Sequence, residues 1–185
     1  MKWGYEMEYV QPIRSLDTIN LFKEELMKTG YRNYMIFVLG INTGLRISDI
    51  LPLKVKDVQS DYLIKTEKKT GKTIKFLINN KLRSELELYT RDMGNDEYLF
   101  KSRKGNKPLS RIQAYRILNY VAEELGMDEI GTHTMRKTFG YWHYKQYKDV
   151  VMLQEIFNHA SPSITLRYIG ITQDIKDETI KDFYL

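Results

Sequence analysis

At 185 residues, with 42% hydrophobic and 29% charged side chains, the chain is long enough for one well-cored domain and too apolar for a disordered one. Cysteine is absent, which excludes disulfides and thiolate metal sites and suits a reducing cytoplasm. No signal peptide and no apolar run of about eighteen residues is present, so no membrane partner is expected. The formal charge of +5 gathers at Lys65, Lys68, Lys69, Lys72 and Lys75 and again at Lys101, Arg103, Lys104, Lys107 and Arg111, as a polyanion partner would require, although solvated turns use lysine in the same way.

Residues 1–13 read as a short arm. The spacing of Leu16, Ile19, Phe22 and Leu26 predicts a helix stopped at Gly30. Tyr34 to Ile41 is apolar nearly all round, the mark of a buried central helix, and Asn42 to Gly44 ends it. A short helix after Arg46 must stop near Pro52, which cannot donate the helical hydrogen bond. The period then changes. Tyr62 to Thr66 and Lys72 to Ile78 read as two strands joined by a turn at Lys68-Lys69-Thr70-Gly71. Helix returns over Asn80 to Met93, striped by Leu82, Leu86 and Tyr89. Lys101 to Pro108 is a basic loop, after which Ser110 can cap a helix that stops at Gly126. Further helices are predicted over Thr132 to Tyr147, Asp149 to Asn158, a short turn near Tyr168, and the tail. A tail over residues 171–185 carries Ile171, Ile175, Thr179 and Phe183 as one stripe against a polar remainder. The expected fold is mainly α with one small antiparallel β-sheet, an α+β arrangement over residues 14–170.

The chain lacks a Walker-type phosphate loop and a helix with two histidines flanking a glutamate, so nucleotide and zinc chemistry rank low. Four segments could carry chemistry instead. Thr43-Gly44-Leu45-Arg46-Ile47-Ser48-Asp49 sets an arginine at a helix start after a glycine turn. Lys69 lies in the hairpin turn. His133-Thr134-Met135-Arg136 puts an imidazole and a guanidinium on one helix face. Asn158-His159-Ala160-Ser161-Pro162 is followed by Tyr168. Each has an ordinary use on its own: a lone arginine near a helix start usually pairs with a carboxylate, and a lone tyrosine usually packs. His143, in an aromatic and lysine-rich stretch, reads as structural or surface.

Together the four segments resemble the tyrosine recombinase, or phage integrase, family. That family carries an arginine within Thr-Gly-Leu-Arg-x-Ser-Glu/Asp, a lysine in a β-hairpin often before Thr-Gly, His-x-x-Arg, and a histidine followed by Ser-Pro-x-x-Thr and then the nucleophile. Thr43 to Asp49, Lys69-Thr70-Gly71, His133 to Arg136 and His159 to Tyr168 match these in order, and the resemblance runs from about Arg14 to Ile169. It implies the catalytic-domain fold of that family, double-stranded DNA as partner, self-association on DNA and no cofactor or metal. It also implies cleavage and rejoining of DNA by a site-specific recombinase or integrase through a 3′-phosphotyrosine.

By that resemblance Tyr168 attacks the phosphate, His133 assists proton transfer, His159 donates to a non-bridging oxygen and Lys69 protonates the departing 5′ oxygen. Arg46 and Arg136 suit the phosphate on chemical grounds, because a planar guanidinium fork binds two of its oxygens at once. Asp49 fits a charge favoured at a helix start, or a support for the arginine and histidine positions. Lys68 and Lys72 share the turn with Lys69 and serve as candidate phosphate contacts, as do Arg103, Lys104 and Lys107.

Two departures from the family stand out. Asn158 replaces a common glycine, and Lys137 follows the second arginine. With only residues 1–13 ahead of the first helix, a clamp closed around duplex DNA is not expected of this chain alone. A DNA-binding or assembly module derived from a recombinase, with little chemistry of its own, is the alternative. A metal-dependent nuclease would need an acidic cluster that the sequence lacks.

Overall fold

The computed structural model describes residues 10–66 and 73–184. Helix α1, Leu16–Thr29, starts where the Ser15 hydroxyl accepts from the Thr18 amide, leaving one fewer orphan donor at the helix start. Gly30, at φ 127°, both closes α1 and opens α2, Tyr31–Thr43, so α2 begins earlier than the predicted Tyr34. α2 buries Met35 through Gly40 and is the central helix, packed against α1. It ends at Gly44, whose φ of 64° turns the chain so that Leu45 enters the core. A side chain on Gly44 would be strained and would also drive its Cβ into the Phe139 ring. The turn leads into α3, Ile47–Ile50, with Arg46 at its N-cap, and then a 3-10 turn at Val55–Val58.

Strands β1, Tyr62–Thr66, and β2, Thr73–Leu77, pair antiparallel, Tyr62 opposite Leu77 and Leu63 opposite Phe76. Leu63 and Phe76 face the core, while Tyr62, Ile64 and Leu77 are exposed, as the alternation of a one-sided sheet requires. The predicted turn at Lys68 to Gly71 lies outside the described residues. After α4, Asn80–Thr90, the basic loop is closed by a bond from the Ser102 amide to the Lys107 carbonyl. Helix α5, Arg111–Glu124, is capped by Ser110 as expected; α6, Thr134–Tyr147, and α7, Val150–Phe157, follow.

The short helical turn expected near Tyr168 is helix α8, Pro162–Tyr168. Ser161 caps it, and Pro162 occupies a first-turn position where no amide is needed, so the segment is helical despite its brevity. Helix α9, Ile171–Ile180, buries Ile171, whereas Ile175 on the predicted stripe, Ile180 close to it, and Phe183 beyond the helix, are exposed. Among the described residues no helix is long and apolar enough to cross a membrane.

Two apolar clusters share the molecule. The larger surrounds α2 and includes Phe22, Phe37, Ile50, Leu86 and Met135; the smaller joins α6 to the segments after it through Tyr141, Leu153, Phe157, Ile169 and Ile171. α6 serves both, and glycines set how closely it packs. A Cβ on Gly40 would lie 2.6 Å from Met135 Sδ, and one on Gly140 would lie 2.6 Å from Ile169 and 2.8 Å from Phe157. Gly140→Ala should therefore destabilise by roughly 1–3 kcal/mol through overpacking, despite the ~1 kcal/mol that alanine ordinarily gains inside a helix. Urea unfolding checks it, and an unchanged or raised midpoint would mean the seam can open at no cost.

Residues 10–14 are strapped across α6. The Ile13 amide donates to Thr138 Oγ1 at 2.9 Å and Trp142 Nε1 donates to the Ile13 carbonyl at 2.9 Å. The Gln11 amide reaches the Glu129 carbonyl at 3.0 Å, and Arg14 pairs with Asp174 of α9 at 3.0 Å.

Candidate active site

Arg136, in the first turn of α6 and only 4% exposed, organises the site. Its Nη1 donates to the Gly44 carbonyl at 2.5 Å and its Nη2 to the Phe157 carbonyl at 2.9 Å, with the guanidinium 4.1 Å from the Phe157 ring centroid. It thereby ties the turn before Arg46 to the end of α7, just before Asn158 and His159. Burial pulls this group down to about 10, against the opposite pull of Tyr168 and Asp49, and it stays cationic at neutral pH. Arg46, at the N-cap of α3, acts electrostatically on His133, Arg136, His159 and Tyr168 alike, so it lies among them.

Tyr168 closes α8. Its hydroxyl is 3.3 Å from His133 Nδ1 and lies within the electrostatic reach of the Arg136 guanidinium. The ring meets Phe157 and His159 edge-on, at centroid separations of 5.6 and 5.1 Å. Burial raises the phenol above its ordinary range, while Arg136 and Arg46 pull it back down. His133 is lowered by burial first and then by Arg111, Lys137, Arg136 and Arg46, so at neutral pH it is a neutral imidazole able to accept a proton. His159 is also lowered, by burial and the same two arginines, and its Nδ1 lies 3.0 Å from Thr165 Oγ1.

Five of the expected site residues, Arg46, His133, Arg136, His159 and Tyr168, thus come together from three separate stretches of chain. Asp49 lies near enough to Arg136 to support its charge. Asn158, where the family commonly has glycine, sits at φ 51° and ends α7 in a left-handed turn that asparagine tolerates. Lys69, Lys68 and Lys72 lie outside the described residues. Arg103, Lys104 and Lys107 are exposed, and the first two line a cavity of about 340 Å³ with Arg32 and Arg116. Among the described residues no three potential metal ligands cluster.

Two cations beside the site were missing from the expected set. Arg111, at the start of α5, lowers His133 although its position marked it only as part of a basic stretch. Lys137 is buried between the site and the strap, and its adjacency to Arg136 was the sole signal available.

A model of the phage integrase family matches residues 14–174. The chain belongs to this family of tyrosine recombinases. The "Probable integrase/recombinase YoeC" of Bacillus subtilis (strain 168) is 56% identical over 178 residues, covering 96% of this chain and 98% of that one. "Tyrosine recombinase XerA" of Pyrococcus furiosus is 31% identical over 163 residues, covering 85% of this chain but 57% of the relative. Among solved structures, XerA recombinase superposes with a TM-score of 0.71 at 20% identity, over 94% of this chain and 65% of that one. XerH site-specific recombinase, bound to difH substrate in a pre-cleavage complex, gives 0.70 at 21% identity over 87% and 51%. This tyrosine recombinase chain therefore spans nearly all of YoeC but little more than half of the Xer relatives. Its mainly helical fold with one small antiparallel sheet is the fold of those structures.

Proposed function

We propose that this chain cleaves and rejoins duplex DNA through a covalent bond between Tyr168 and a 3′ phosphate. The observation that carries the reading is the Tyr168 hydroxyl held 3.3 Å from a neutral His133, under the influence of a guanidinium that two backbone carbonyls hold in place. A phenol raised by burial needs an acceptor, and Nδ1 of His133 can take its proton as the oxygen attacks phosphorus. Arg46 and Arg136 oppose the negative charge that grows on the non-bridging oxygens, the kind of preorganised stabilisation that contributes most to catalysis. His159 Nδ1 shares a 3.0 Å hydrogen bond with Thr165 Oγ1, and in the tautomer in which that hydroxyl donates to Nδ1, Nε2 carries the proton and can donate to one of those oxygens. The departing 5′ oxygen takes a proton from Lys69. Reversal, with a 5′ hydroxyl attacking the phosphotyrosine, rejoins the strand and needs no external energy source.

The test is incubation with a nicked duplex that lets the cleaved fragment diffuse away, followed by denaturing electrophoresis. A protein–DNA adduct mapping to Tyr168 is expected. DNA binding without adduct would instead favour a recombinase-derived binding module.

Self-association on DNA belongs to the same proposal. Ile175, Ile180 and Phe183 are 54%, 65% and 67% exposed, an apolar surface that a helix in water gains little by forming unless it packs. Truncation after Thr172 should lower the association state on DNA and slow cleavage. Analytical ultracentrifugation with and without DNA measures the first, and identical states for both proteins would reduce the tail to a local cover.

A further inference from the structure

We propose that Lys137 is a positioning residue for Tyr168, its ammonium held between the N-terminal strap and the face of the tyrosine ring. The inference rests on the reading of Tyr168 as nucleophile. Lys137 lies inside α6 and is 6% exposed, a rare place for lysine, where a methionine would fill similar space with no charge to bury. Its Nζ donates to the Val10 carbonyl at 2.6 Å and lies 5.2 Å from the Tyr168 ring centroid. The carbonyl fixes the ammonium, and the ammonium attracts the negative face of the ring. Val10 is itself held: its side chain packs against Gly131, and the next residues bond to Glu129, Thr138 and Trp142.

The ring of Tyr168 is then bounded on all the sides that matter. Phe157 and His159 meet it edge-on, His133 holds its hydroxyl, and Lys137 supports its face. Small rotations of a tyrosine about its Cα–Cβ bond swing the distant hydroxyl most, and a misplacement of about 1 Å can cost roughly a hundredfold in rate. Arg136 and Arg46 act on the ionisation of the phenol, whereas Lys137 lies over the face of the ring, away from the hydroxyl's hydrogen-bonding partner His133, where its contact bears on the ring's placement. Lys137 also lowers His133, alongside Arg111 from α5, Arg136 from α6 and Arg46 from the start of α3, with Tyr168 of α8 as the hydrogen-bonding neighbour. Around Lys137 itself, burial and Arg14 disfavour the charge and Glu129 favours it.

The experiment compares wild type with Lys137→Met, Lys137→Gln and Lys137→Arg in single-turnover cleavage of the nicked duplex at saturating DNA, across pH. Lys137→Gln keeps a donor for Val10 and is the variant to rely on if the methionine protein folds poorly. Both neutral variants should cleave at least about fivefold more slowly with DNA affinity within about threefold of wild type. The acid limb of their rate profile should move to higher pH, because His133 has lost a neighbouring cation. Lys137→Arg should recover most of the rate. A loss of packing alone would lower the unfolding midpoint and leave the acid limb where it was. Adduct on Tyr168 formed by the glutamine variant within about fivefold of the wild-type rate would overturn this inference alone. A wild type that forms no adduct would overturn the nucleophile reading and this inference with it.

Discussion

Tyr168→Phe should form no covalent adduct on a nicked duplex, a loss of at least about a thousandfold, since removing a nucleophile can cost far more than that in related cases of covalent catalysis. The fold should be nearly untouched. A phenyl ring keeps the edge-on contacts to Phe157 and His159 and the face beside Lys137, and gives up only the hydroxyl that His133 holds. DNA affinity should stay within about twofold, because the substitution removes an oxygen and no charge, and phosphate binding depends on charge. Denaturing electrophoresis and fluorescence anisotropy on the same preparation read both quantities. Adduct persisting in this variant would move the nucleophile to another of the tyrosines.

Lys69→Ala and Arg136→Lys should both be crippled on ordinary DNA yet differ sharply on a 5′-bridging phosphorothiolate. Loss of a general acid costs about 10²–10⁴ in rate, and loss of a preorganised donor to a developing oxyanion costs about 10²–10³. A sulfur leaving group needs no proton, so it should restore most of the rate to Lys69→Ala. It does nothing for charge on the non-bridging oxygens, so Arg136→Lys should remain slow. Lysine there would also leave one of the Gly44 and Phe157 carbonyls without its present donor, which makes the second defect the more general one. Equal rescue of the two variants would remove the division of labour between leaving-group protonation and charge stabilisation. Failure to rescue Lys69→Ala would turn attention to Lys72.

Most of the fold was legible along the chain because its signals are local. Ser15, Ser110, Asp149 and Ser161 cap helices where they stand, Gly30 and Gly44 turn the backbone where other residues would be strained, and the period of two over Tyr62 to Leu77 belongs to strands. The start of α2 was missed because one glycine serves two helices, and α8 was legible only as a short helical turn without bounds because seven residues carry too few turns for a period to register.

The candidate site was also legible, though as an ordered pattern of residue types and not as a place. Arg46, His133, Arg136, His159 and Tyr168 are short motifs whose chemistry is recognisable in one dimension. What joins them is not. Arg136 reaches back to Gly44 and forward to Phe157, and those bonds exist only because Gly40 and Gly140 let α6 sit against both apolar clusters. The same holds for Lys137 and Arg111. A lysine in a polar stretch of helix reads as solvated until the strap at Val10 and the ring of Tyr168 close over it, and an arginine at a distant helix start reads as a surface charge until that helix docks beside His133. Residue types and local geometry were determined by the sequence itself. Desolvation and the mutual influence of charges were decided by the tertiary structure, because both depend on distances between groups that the chain order leaves far apart.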